Sequence, residues 1–273
     1  MQDMIKIKEI REGNVECVID LESVYSDGEL EKFNSRWEEF LASDEANASV
    51  IKRNGNMIIY PHKSWIPWKK DDKPSVLMLF GNSASHSVRE DIYFSYERNG
   101  SEHRFWKVLR ELGYINISSN PKTMKQDFFN LNYESPFRLG FEVIYTFPSS
   151  ASKGKWSQVA GLEKLFRKKV LKLMFESEKT RVLPLIREFT KDGGAIIALQ
   201  KDAYNSVAQN SYHLNQAENF ELKSGFDKSI RIYGTPPTRF LHSKKMKELL
   251  GIIKADILNN YSESKDIPDW NYA

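Results

Sequence analysis

Ser75-Val-Leu-Met-Leu-Phe80, running directly into Gly81-Asn-Ser-Ala-Ser-His-Ser87 and then Tyr93-Phe-Ser-Tyr96, is the stretch on which the fold turns. Val76 to Phe80 leave no polar face, as expected of a strand covered on both sides of a sheet. Gly81 offers a sharp turn where that strand would end. Asn82 is then expected at the strand's carboxyl end, where open α/β sheets place their ligands. A helical pattern from Glu102 to Leu112 follows the aromatics. Strand, small polar loop, aromatic shelf and helix together suit a flat polar ring.

Working outward, apolar runs predict further strands at 114–117, 141–146, 195–200 and 229–233. Helical spacing predicts helices near 157–176, 180–191 and 242–259, with 118–138 mostly loop. Short strands alternating with helices imply a three-layer α/β/α domain over residues 75–261, with a mainly parallel sheet of about four or five strands. Residues 1–74 read as a helical or irregular lead-in packed on that domain. Leu30, Phe33, Trp37, Phe40 and Leu41 recur at helical spacing there. Asn54-Gly55 marks a turn before a strand at Met57–Tyr60, and Pro61 to Pro74 reads as loop. Residues 262–273 read as a solvated tail.

The chain has 273 residues, enough for one large α/β domain. With 40 Lys and Arg against 37 Asp and Glu, the net charge is only +3, so binding to DNA would need a local basic face. Cys17 is the only cysteine, which excludes an intrachain disulfide and any cysteine cluster built by one chain. No cofactor and no metal are expected. No apolar run approaches the ~20 residues that span a bilayer. The first residues lack a secretory apolar core. The expected setting is the cytoplasm, with no membrane partner.

Val76-Leu-Met-Leu-Phe-Gly-Asn82, Tyr93-Phe-Ser-Tyr96 and Val108-Leu-Arg-Glu-Leu-Gly113 stand in an order that resembles the uracil-DNA glycosylase superfamily. Gly194-Ala-Ile-Ile-Ala-Leu-Gln-Lys-Asp-Ala-Tyr204 and Ile230-Arg-Ile-Tyr-Gly-Thr-Pro-Pro-Thr-Arg-Phe-Leu-His242 continue the likeness. It covers about residues 75–260, and the order of the pieces carries it more than any one motif. The resemblance implies a uracil-DNA-glycosylase-like fold that hydrolyses the N-glycosidic bond of a flipped, damaged or deaminated base. DNA would be the partner, as single strand or damaged duplex, and a monomer is expected. By the same likeness Asn82 would position the attacking water, and Phe94 would stack the base. Gly81, Thr146 and His86 would help to hold the base. Thr235, Pro236, Pro237, Arg239 and Phe240 form the loop that would grip DNA, with Lys153 as a further phosphate contact. Each has a plainer reading: Asn82 as a strand-end cap, Phe94 as a core ring, the polar residues as ordinary loop.

Two departures bear on specificity. The superfamily's second motif often opens with a His that donates to the departing base, whereas this chain reads Gly234-Thr-Pro-Pro237. Where several branches have an Asn that reads uracil, it has Tyr145-Thr-Phe-Pro148. A catalytically inactive relative that binds nucleic acid or a nucleotide is therefore the alternative. A Ser or His hydrolase centred on 81–87 ranks last, because the G-x-S-x-G elbow is missing.

Overall fold

The computed structural model describes residues 5–11, 14–95, 100–151, 154–191, 194–208, 222–224 and 230–265. The chain begins with β1 (Ile5–Arg11), β2 (Asn14–Asp20), α1 (Asp27–Ala42), α2 (Glu45–Val50), β3 (Lys52–Asn54) and β4 (Met57–Lys63). Next come β5 (Ser75–Ala84), α3 (Ser85–Arg89), α4 (Arg104–Glu111), α5 (Pro121–Phe129), β6 (Arg138–Ser149) and α6 (Gln158–Thr190). It closes with β7 (Ala195–Leu199), α7 (Lys201–Val207), β8 (Leu222–Ser224), β9 (Arg231–Thr235) and α8 (Lys244–Lys265). There are two compact units. One takes Met1–Trp65, Phe80–Ser95 and Glu142–Pro184; the other takes Ile66–Leu79, Tyr96–Phe141 and Leu185–Ala273.

In the first unit, α1 forms where helical spacing predicts it. Glu29 accepts from the Ser26 amide at 3.0 Å and from its hydroxyl at 2.9 Å, which starts the helix. Phe33, Trp37 and Phe40 are buried on one face, and Phe40 meets Phe147 and Trp156. The lead-in also carries an antiparallel sheet of order β1-β2-β4-β3, where the pattern reading has only helix, loop and one short strand. β1, Ile5-Lys-Ile-Lys-Glu-Ile-Arg11, alternates apolar with charged residues, as half-buried strands do, and so resembles polar chain. In β4 the alternation buries Ile58, Tyr60 and His62. The strand continues through Pro61 to Lys63, past its expected end. β3 pairs only with Met57–Ile59, so beyond Ile59 β4 has a side without a β3 partner, where proline's missing N–H is tolerated.

In the second unit, β5 and β7 pair in parallel, as do β7 and β9, while β8 runs antiparallel to β9. Phe105, Trp106 and Phe128 gather around Phe141. Tyr114 donates to the Leu250 carbonyl at 2.8 Å. The predicted strand at 114–117 is irregular chain carrying one isolated bridge, Asn116 to Glu134. The predicted loop 118–138 contains α5. Asn120 caps it by accepting from the Lys122 amide at 3.0 Å, and Pro121 takes its first position. That Asn-Pro pair, read as loop punctuation, is a helix start.

The larger sheet has the order β6-β5-β7-β9-β8. Arg138 hydrogen-bonds Ser75, and Asn82 reaches the Phe147 carbonyl. Those two contacts set β5 and β6 running the same way. The sheet is thus parallel over four strands and flanked by helices, compatible with the expected three layers. Of the five predicted strands, those at 75–80, 141–146, 195–200 and 229–233 are members, within a few residues of their expected bounds. From β5 the chain steps to β6 on one side and later to β7 on the other, so the strand order reverses at β5. β5 itself does not end at Phe80. It runs to Ala84, and Gly81 is a buried strand residue without the positive φ of a turn.

Candidate functional site

A small pocket of about 150 Å³ lies at the carboxyl end of β5. Ser83 of β5, Ser87 and Val88 of α3, and Asp91, Ile92 and Tyr93 after it form one wall. Pro61, His62 and Lys63 of β4, with Trp65, form the other. The carboxyl end of the strand at which the order reverses is where α/β sheets bind ligands. Trp65 and Tyr93 meet edge to face, their ring centres 5.8 Å apart. Tyr93 donates to the Lys63 carbonyl at 3.3 Å, and so ties the two walls together. Ser87 accepts from the Ser95 amide at 3.3 Å, which closes the turn. Asp91 (φ 55°) and Phe94 (φ 51°) bracket this turn in left-handed backbone. For a bulky residue such as Phe94 that is an outlier, of the kind that concentrates at functional sites.

Behind the pocket is a buried polar network centred on Glu142 of β6, which is 0% exposed. His62 Nε2 lies 2.9 Å from its Oε1 in a bent contact, the ring N–H pointing off the oxygen. The Val143 amide donates to the same oxygen at 2.7 Å. The other oxygen accepts from the Ser64 hydroxyl and pairs with Arg181 Nη1 at 3.1 Å. Three partners, Val143, Ser64 and Arg181, thus fill acceptor positions of the ionised carboxylate, and the His62 ring nitrogen lies close beside it. Burial by itself pushes this carboxyl's pKa up. The Arg181 charge, then the nearby His62 and the Ser64 hydrogen bond, outweigh it and hold the group well below the usual carboxylate range.

Arg181 extends the network. Its Nε donates to Glu178 at 2.7 Å, and its Nη2 donates to the Val143 carbonyl at 2.7 Å. Glu178 accepts in turn from the Thr146 amide at 2.6 Å and from its hydroxyl, and that hydroxyl is 3.0 Å from Tyr60. Burial raises Tyr60 well above an ordinary phenol, with Cys17 and Glu178 adding to the shift, and it pushes the Cys17 thiol up to about 12. Both stay protonated at neutral pH.

The pocket lining contains none of the residues first singled out for the base. Asn82 donates to the Ser83 carbonyl at 3.2 Å and to Phe147 at 3.4 Å. Phe94 packs on Phe80, ring centres 5.1 Å apart. Thr146 is completely buried on Glu178. Gly81 lies within the strand and His86 within α3. In the other unit Thr235 is buried, hydrogen-bonded to the carbonyls of Ala198 and Pro236. Pro236 is buried beside it, Pro237 is half-buried, and the Arg239 guanidinium sits 5.0 Å above the half-buried Phe240 ring. Lys153 lies outside the described residues.

His62, Glu142, Glu178 and Arg181 were missed. One signal for them was in the sequence: Glu142 is the sole charge in Phe141-Glu-Val-Ile-Tyr-Thr146, and a carboxylate inside a buried strand requires partners. Nothing in the sequence says that His62 is the partner.

Among the described residues no group of three or more His, Cys, Asp or Glu could hold a metal ion, and no helix is long and apolar enough to cross a membrane. The fold and the site define a mixed α/β protein with a buried carboxylate–imidazole pair on a small aromatic-walled pocket. No protein-family model matches the chain, and no curated protein matches it.

Proposed function

We propose that the pocket receives a single base flipped out of DNA, and that the protein hydrolyses its N-glycosidic bond in the manner of uracil-DNA glycosylases. The observation that carries this reading is His62, backed by ionised Glu142, in the wall of a pocket sized for one small ring. About 150 Å³ is well under the ~300–1,000 Å³ typical of drug-sized ligands. One ring enters and the rest of a polymer stays outside, which is the geometry of base flipping.

The chemistry follows from the acceptor-only carboxylate. A carboxylate 2.9 Å from Nε2 favours the ring proton on that side and leaves the Nδ1 lone pair as the acceptor. Nδ1 takes a proton from water as the water oxygen bonds to the sugar carbon. The bond from that carbon to the base breaks, and its electron pair leaves with the base. Glu142 stabilises the imidazolium that results. Ser83, Ser87 and Lys63 supply polar contacts to the ring, while Trp65 and Tyr93 supply apolar area. In this account His62 takes the role that the resemblance gives to Asn82.

Oligonucleotides bearing uracil, hypoxanthine, xanthine or alkylated bases, assayed for abasic sites, test the reading. It requires release from at least one of them. A second reading, base or nucleotide binding without cleavage, draws support from Asn82 and Thr146, whose side chains are committed to Phe147 and Glu178. Saturable binding with no release from any substrate would favour it.

A further inference from the structure

We infer that Arg181 is a positioning residue, braced by Glu178, that keeps Glu142 ionised and oriented and thereby sets which nitrogen of His62 accepts a proton. The inference rests on the proposed acid–base role of the pocket, but its test does not.

Arg181 is only 11% exposed and spans both carboxylates, Nη1 on Glu142 at 3.1 Å and Nε on Glu178 at 2.7 Å. Its third contact, to the Val143 carbonyl, anchors it to the backbone beside Glu142. Glu178 is held by both polar groups of Thr146, so the brace is fixed at its far end as well. The guanidinium therefore has one orientation, and in it one Glu142 oxygen is occupied by Arg181 and Ser64 while the other faces His62. A buried carboxylate without such a cation would bind a proton instead. A protonated Glu142 could donate to His62, and the charge that favours the Nε2–H form of the ring would be gone. The other titratable groups facing the cluster are Tyr93, Tyr60 and Cys17, all raised and neutral at pH 7.

The test uses the whole 273-residue chain and no substrate. In wild type carrying ¹³C-labelled Glu side chains, the Glu142 carboxyl signal, assigned by its loss in Glu142→Gln, should not titrate between pH 7 and about 4, where an ordinary Glu does. The ¹⁵N shifts of His62 should report the Nε2–H tautomer. Arg181→Met should bring the Glu142 titration up into or above the normal range and mix the tautomers, and Arg181→Lys should restore most of the wild-type pattern. Ordinary titration of Glu142 in wild type overturns the inference even if Arg181→Met does not fold. So does an unchanged His62 tautomer in a folded Arg181→Met. Failure of the oligonucleotide assay leaves these signals in place, so the two readings fail separately.

Discussion

His62 Nε2 and Glu142 Oε1 lie 2.9 Å apart, with side chains 3% and 0% exposed. The first comes from an antiparallel strand near the start of the chain and the second from β6. Their pairing sets a buried carboxylate against the wall of the pocket.

Replacing Glu142 by Gln should cost stability as well as function. It removes the counter-charge of a nearly buried Arg181, and breaking a buried pair on one side typically costs about 3–5 kcal/mol. Denaturant unfolding at pH 7 measures this. The loss should shrink on acidification. A carboxyl whose folded pKa is depressed stabilises fully above its unfolded pKa, 4.5, and that stability goes as pH falls through the lower folded value. Wild type should therefore weaken below pH 4.5 more steeply than Glu142→Gln.

Alkaline pH should act in the opposite sense through Cys17, Tyr60 and Tyr93. Their folded pKa values are raised, so their contribution is complete below the unfolded values and declines above them. For Cys17 the window runs from 9.0 to about 12, and for the two tyrosines it begins at 10.0. Urea midpoints should fall beyond pH 9, and Cys17→Ala should flatten the first part of that fall. A midpoint constant to pH 11 would contradict the burial of these groups.

Gly194 enters β7 where a side chain has no room. A Cβ there would stand 2.6 Å from the Ser75 carbonyl and 2.9 Å from the Thr190 backbone. Gly194→Ala should lower stability by about 1–3 kcal/mol, read as a lower melting temperature.

The parallel sheet was legible because its strands are unbroken apolar runs: Val76–Phe80 and Ala195–Leu199 admit little else. The flanking helices α1, α4 and α8 were legible from their spacing. The antiparallel sheet was not, since strands such as Ile5-Lys-Ile-Lys8 alternate with charge, and Pro61 hid the last turn-free residues of β4. Ser83 to Tyr93, in the stretch expected beside the site, forms one wall of the pocket, while the residues singled out for the base line none of it. β5 continues four residues beyond Phe80, so Asn82 stays bonded within the sheet, and the buried pair of residues 62 and 142 is a contact that local pattern cannot reveal.

Single-turnover base release by wild type, His62→Ala and Asn82→Ala, on a substrate that all three bind, tests the central claim most directly. Loss of a general base typically costs ~10²–10⁴-fold in rate. His62→Ala should fall by that amount with binding little changed, while Asn82→Ala, outside the pocket lining, should stay within a few-fold of wild type. Equal rates for wild type and His62→Ala would contradict the account, as would a collapse confined to Asn82→Ala.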